Sequence, residues 1–202
     1  MIYIDFEDAA VSSAGYWDPT TTTNTWTLSD SDKTAHADAW PLGGMATVLG
    51  VGGRSTGKYY LEIYIIDTDG AFGSSVRHDF GITFMTFVGA GGSGLENGAG
   101  YRRAGVIMIN NTDVGTVTQL FGGDVVGVAV NLDSGDIWFS YNGTWTQGDP
   151  SAGTSPEGSV TTGETYRPFI STESPINTHA TLRISTTEFS YSVPTGFTQW
   201  AG

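Results

Sequence analysis

Apolar and polar positions alternate with a period of two along much of this chain. In "YYLEIYIID" (59–67), Leu61, Ile63 and Ile65 alternate with Tyr60, Glu62 and Tyr64; in "DVVGVAVNLD" (124–133), Val126, Val128 and Val130 alternate with Gly127, Ala129 and Asn131. Successive side chains of an extended chain point to opposite faces, so both segments read as half-buried strands with one face toward a core. "HDFGITFMTF" (78–87), "AGVIMIN" (104–110), "DIWFSY" (136–141), "YRPFIST" (166–172) and "ATLRIST" (180–186) carry the same β-branched and aromatic enrichment between turn formers. No window of helical length repeats at 3.6, and 29 glycines interrupt every candidate, each costing about 1 kcal/mol in a helix. Many short strands with regular turn punctuation predict an all-β antiparallel sandwich or barrel with very little helix.

At 202 residues and 39% hydrophobic content the chain buries a real core as one domain. Residues 16–202 are expected to form it, with residues 1–15 as an added edge strand or docking arm. There is no cysteine, which excludes disulfides, thiolate metal sites and thiol nucleophiles. The formal charge of -13 repels phosphate backbones and anionic headgroups, so nucleic acid is not an expected partner. "MIYIDFEDAA" at the start has three acids and no basic n-region. No apolar run approaches the roughly 18 residues of a membrane span, so neither a cleaved signal peptide nor membrane insertion is expected.

"GDVVGVAVNLDSGDIWFSYNG" (123–143) reads as a hairpin. Asp133-Ser134-Gly135-Asp136 supplies turn chemistry between two strands, and Asn142-Gly143 supplies it again after the second. Ile137, Phe139 and Tyr141 are expected on one face, with Trp138 and Ser140 on the other. The stretch resembles the central hairpin of SPRY domains, a "GD-V-GV-(apolar)-D" strand followed by "G-x-(apolar)-W/F-F-S-x-NG". "STGKYYLEI" (55–63) is similar to that family's "SGK-YYFEV" strand and "YRPFIS" (166–171) to its "YYPAVS" strand. "YWDPTTTTNTWTLSDSDKTAHA" (16–37) and "FSYSVPTGFTQW" (189–200) resemble the opening and closing segments of SPRY-like proteins of bacteriophages. "NLD" stands where the family has "DLD", and "AGYRRAG" (99–105) matches its "YGY" segment irregularly. The resemblance implies a two-sheet, jelly-roll-like, concanavalin A-like sandwich that recognises partners through loops at one end and catalyses nothing.

Residues able to carry chemistry are few. Glycoside hydrolases need two carboxylates about 5–9.5 Å apart. Glu62 has no acidic neighbour at 60 or 64, Glu164 reads as a loop residue, and Glu188 precedes an apolar closing strand. His36, His78 and His179 are far apart in sequence and form no H-x-H or H-E-x-x-H set, so no metal site is expected from them. Asp30-Ser31-Asp32 and Asp67-Thr68-Asp69-Gly70 could offer oxygens to calcium, although "DTDG" reads better as a hairpin turn. No other cofactor is expected. Aromatic and arginine residues beside loops are better candidates for contact: Trp40, Trp145 and the Tyr101-Arg102-Arg103 patch, whose two arginines are among only eight basic residues. Trp17 and Trp200 read as caps on the core.

The expected role is a virion component, as fibre tip, tail accessory or capsid decoration. It would bind another virion protein or a host-surface glycan or protein receptor, and assemble as a symmetric homo-oligomer. A bacterial SPRY-like adaptor that captures peptides is the alternative reading, and a lectin-fold hydrolase the remaining one.

Overall fold

The computed structural model describes residues 16–22, 26–37, 45–67, 77–84, 95–173 and 178–201. In chain order the strands are β1 (Trp26–Ser29), β2 (Thr34–Ala37), β3 (Ala46–Leu49), β4 (Lys58–Asp67), β5 (His78–Thr83), β6 (Gly98–Arg102), β7 (Val106–Ile109) and β8 (Thr112–Thr116). They continue as β9 (Val125–Asn131), β10 (Asp136–Tyr141), β11 (Thr144–Trp145), β12 (Gly158–Ser159), β13 (Arg167–Thr172), β14 (Thr178–Arg183) and β15 (Thr198–Gln199). One sheet has the order β1-β2-β14-β4-β9-β10-β11, with β12 added to β10 and β15 added in parallel to the start of β4. The other has the order β3-β13-β5-β6-β7-β8. No helix occurs among the described residues. The expected all-β, antiparallel two-sheet sandwich is what forms.

The core lies between the sheets and is built by the alternation read in the sequence. Leu61, Ile63 and Ile65 of β4, Val126, Val128 and Val130 of β9, and Ile137 and Phe139 of β10 face Phe80, Ile82, Tyr101, Ile107 and Ile170 of the opposite sheet, all fully buried. Burial at about 25 cal/mol per Å² of apolar surface makes this layer the main stabiliser of the fold. Trp17 and Trp200 are buried in the same cluster, as expected of them. The Trp200 indole N–H donates to the Gly52 carbonyl at 2.8 Å, and Arg54 donates twice to the Trp200 carbonyl, so the chain's end is clamped into the core.

The hairpin at 123–143 has the expected facing: Tyr141 packs at the edge of the core, and Trp138 and Ser140 lie on the outer side of the large sheet. Its polar landmarks tie it together. Asn142, at φ +48°, accepts from the Val125 amide at 2.8 Å and donates to Asp124 at 2.8 Å, while Asp124 accepts from the Phe121 amide at 2.7 Å. The motif's Asp and Asn thus satisfy the backbone amides just before and at the start of β9, and tie that start to the end of β10.

Gly98–Gly100, the end of the glycine-rich segment "GAGGSGLENGAG" (89–100) that reads as a surface loop, is instead part of strand β6. A Cβ on Gly81 would sit 2.0 Å from the Ala99 carbonyl oxygen, and one on Gly100 would meet Leu95 and Phe169. Glycine here permits close packing rather than marking a loop. Phe169, Leu49, Leu95 and Met108 fill the outer face above it. The segment 189–200, read as an apolar closing strand after Glu188, is largely an irregular strap, with only Thr198 and Gln199 in strand. Residues 1–15, the expected arm, lie outside the described residues.

Candidate functional site

The outer face of the large sheet carries a second, mixed cluster. Tyr60, Ala129 and Trp138 line up in register across β4, β9 and β10. Phe189, Val193 and Phe197 of the strap pack over them, with Trp145 beside. The strap is pinned by Glu62, which is fully buried. Its carboxylate accepts from the Ser190 amide at 2.7 Å, the Tyr191 amide at 2.9 Å and the Tyr60 hydroxyl at 2.9 Å, with the Arg183 guanidinium 3.6 Å away. Burial first, and then the neighbouring Glu62 charge, push the Tyr60 phenol far above its ordinary range, so it stays a donor.

Between the strap, the turn after β10 and the loop around residue 151 lies a cavity of about 450 Å³. Tyr60 and Ser140 line it from the sheet, Trp145 from β11, Ser151 from the loop, and Tyr191 to Thr195 from the strap. Gly127 keeps its floor open: a Cβ there would lie 2.3 Å from Ser140 Oγ and 2.9 Å from the Tyr60 hydroxyl oxygen. Gly143, at φ +78°, lies directly under the Tyr191 ring, where a Cβ would come within 2.3 Å. The Trp145 ring meets Tyr60 edge-on at 6.2 Å, which fixes its position. Ser140 is 1% exposed, and its hydroxyl has no hydrogen-bond partner of good geometry. Aromatic rings and hydroxyls dominate the lining, which holds no carboxylate, imidazole or amine.

Of the residues expected to make contacts, Trp145 is the one placed at this cavity. Tyr101-Arg102-Arg103 does not form an exposed loop patch. Tyr101 is on β6 inside the core with its hydroxyl donating to the Thr118 carbonyl at 2.6 Å. Arg102 is paired twice with buried Asp79, at 2.8 and 3.2 Å. Arg103 is 2% exposed. The reason is register: β6 pairs β5 through Asp79↔Arg102 and Phe80↔Tyr101, which carries the segment into the sheet. Trp40 lies outside the described residues.

The histidines are not all apart. His36 and His179 are register partners across β2 and β14, and their rings stack at 3.9 Å. His78 closes one end of the core, its Nδ1 against the Thr172 hydroxyl at 2.9 Å and the Thr178 hydroxyl at 2.6 Å. Burial, helped by the Arg103 charge, pulls its pKa down to about 4, so it is neutral at physiological pH. Glu188 is held by the strap's entry: burial pushes its carboxyl up, but Lys33 at 2.5 Å and the Tyr16 hydroxyl at 2.8 Å outweigh that and leave it below the ordinary value. Asp30-Ser31-Asp32 is the β1–β2 turn, all three residues at positive φ, with Asp30 accepting from the Thr34 hydroxyl. Among the described residues no three His, Asp or Glu side chains are grouped as metal ligands. Asp69 and Gly70 lie outside the described residues.

Tyr60, Ser140, Tyr191, Ser192 and Thr195 are not among the contact residues the sequence points to. Tyr60 and Ser140 carry only their place on the outer faces of their strands, and Tyr191, Ser192 and Thr195 lie in "SYSVPTG" (190–196), which nothing local connects to either.

No family model matches this sequence, and no curated protein does. Solved structures do match. The SPRY domain of human HERC1 aligns over 83% of this chain and 96% of its own length, with a TM-score of 0.61 at 14% identity. A human SPRY domain aligns over 79% of this chain and 94% of its own, with a TM-score of 0.54 at 13% identity. Stonustoxin covers 83% of this chain with 26% of its own, with a TM-score of 0.54 at 17% identity. The strand order, the hairpin and these superpositions agree that the chain folds as a SPRY-like β-sandwich.

Proposed function

We propose that this chain is a non-catalytic recognition module carried on a bacteriophage particle, and that its binding site is the cavity between Trp145 and the C-terminal strap. The observation that carries the recognition reading is the lining itself: aromatic faces and hydroxyls converge on a concave site whose walls hold no acid or base. Glu62, whose carboxylate bonds the floor residue Tyr60, is otherwise committed to strap amides. The SPRY-like fold supports a partner-binding role, and the phage-type opening and closing segments around Tyr16–Ala37 and Phe189–Trp200 support the virion setting. The partner is then another virion protein or a receptor on the host surface.

The test is binding of the labelled chain to purified host envelopes, to empty capsids and to particles lacking it, with its position in intact particles read by electron microscopy. A receptor binder holds envelopes, and a decoration protein holds capsids and ignores cells. Release of reducing ends from host polysaccharide would overturn the non-catalytic reading, and saturable binding of peptides with no attachment to particles would favour a peptide adaptor instead.

A further inference from the structure

We infer that the Trp145–Tyr191 cavity takes a neutral sugar ring. The inference rests on the recognition reading and names the ligand class of the same site.

A pyranose has a flat face of C–H groups and a rim of hydroxyls. Its face needs an aromatic ring held still, and its rim needs donors and acceptors not already consumed. Trp145 is held edge-on by Tyr60, and its indole N–H makes no hydrogen bond within the described chain, whereas those of Trp138 and Trp200 are bonded to the Thr154 and Gly52 carbonyls. Tyr191 is 36% exposed and lies over Gly143, presenting a second ring at the mouth. Ser140 Oγ is buried at the floor beside the Tyr60 hydroxyl, with no bond of good geometry, so it keeps hydrogen-bonding capacity for a ligand. Ser151 Oγ accepts from the Thr195 amide and keeps its own proton to donate. At about 450 Å³ the cavity is within the roughly 300–1,000 Å³ of small-ligand clefts and has room for a mono- or disaccharide.

Charge selects the sugar. The lining carries no cation, and the chain's net charge is -13, so uronic and sialic acids are repelled and gain no partner. A peptide fits less well. β10 is paired on both sides, by β9 and by β11 and β12, and offers no free backbone edge for an added strand, and no charged side chain in the lining waits for a terminus.

The experiment uses the intact chain, with saturation-transfer NMR and tryptophan fluorescence. The probes are methyl glycosides of glucose, galactose, mannose and N-acetylglucosamine, then lactose and maltose, then sialic and glucuronic acids, and a pool of unstructured peptides. The expected result is saturable millimolar binding of at least one neutral saccharide, with acidic sugars at least about tenfold weaker. Trp145→Ala is expected to abolish that binding. Ser192→Ala, at an exposed position that leaves the packing intact, is expected to weaken it by roughly fivefold. The inference is overturned if no neutral saccharide saturates, if both variants bind like the parent chain, or if peptides displace the sugar from this cavity. A chain that holds envelopes or capsids but takes no saccharide loses the sugar inference and keeps the recognition reading; one that holds none of them loses both.

Discussion

The two faces of β4, β9 and β10 solve burial differently. Toward the other sheet, Leu61, Val128 and Phe139 are packed among apolar side chains from both layers. Toward the strap, the alternate residues Tyr60, Glu62, Gly127, Trp138 and Ser140 are almost as deeply buried, yet they mix rings, a carboxylate, a hydroxyl and a glycine. Along these three strands the inner face is closed by apolar packing. The outer face is closed by a strap whose backbone amides need an acceptor, and Glu62 is that acceptor. Polar burial gives the outer face a defined strap position and a cavity beside it, at the risk that one lost partner leaves several groups unsatisfied.

The largest expected effect lies on the inner face. Phe139→Ala removes a fully buried ring that meets Tyr101 edge-on at 6.4 Å and should cost about 4 kcal/mol in urea or guanidinium unfolding. A cost below that of the outer-face changes would reverse the ranking of the two faces.

Next is the polar end of the inner core. His78 bridges β5, β13 and β14 in its neutral form, with its pKa pulled from 6.5 to about 4. The unfolded chain takes up this proton near pH 6.5 and the folded chain near pH 4. The contribution is therefore full above pH 6.5 and is lost as pH falls toward 4, amounting to about 3 kcal/mol. His78→Gln should flatten that part of the pH–stability curve. A wild-type curve with no slope between pH 6.5 and 4 that differs from the variant's would contradict the assignment.

On the outer face, Glu62→Gln replaces one acceptor oxygen with a donor facing the strap amides and should cost about 2 kcal/mol. The specific readout is faster hydrogen exchange at the Ser190 and Tyr191 amides. Unchanged protection there would show that the strap is held by Phe189 and Phe197 instead.

Smallest is Gly127→Ala. Its methyl would press on Ser140 Oγ at 2.3 Å, which a rotated Ser140 partly relieves, so the expected cost is about 1 kcal/mol. Because Ser140 lines the cavity floor, the same change should weaken ligand binding more than it weakens the fold, which comparative denaturation and titration would separate.

Alternation fixed the long strands and their inward residues, because a period of two commits a segment to one buried face wherever it ends up, and the turn residues Asp133–Asp136 and Asn142-Gly143 added the hairpin at 123–143. Trp17 and Trp200, which read as caps from their residue type and position beside loops, are in the core as well. What the local pattern missed has one cause. Gly98–Arg102 is a strand because Gly81 and Phe169 from other strands fit against its glycines, and that fit is invisible in the segment itself. Arg102 reads as part of a contact patch because it and Arg103 are two of only eight basic residues, but its register partner is Asp79, which pairs with it in the sheet. The cavity joins residues up to 135 positions apart, Tyr60 through Thr195, across a strap with no period to read.

The amino-acid sequence by itself thus determined a cysteine-free, acidic all-β chain and which side of each long strand is apolar, since those properties are local. Only the tertiary structure decided that Glu62 anchors a strap, that Tyr101 and Arg103 are interior, and that Trp145 borders a cavity. Each of these depends on which distant segment lands on the outer face, and pairing between distant segments is set by the packing of the whole.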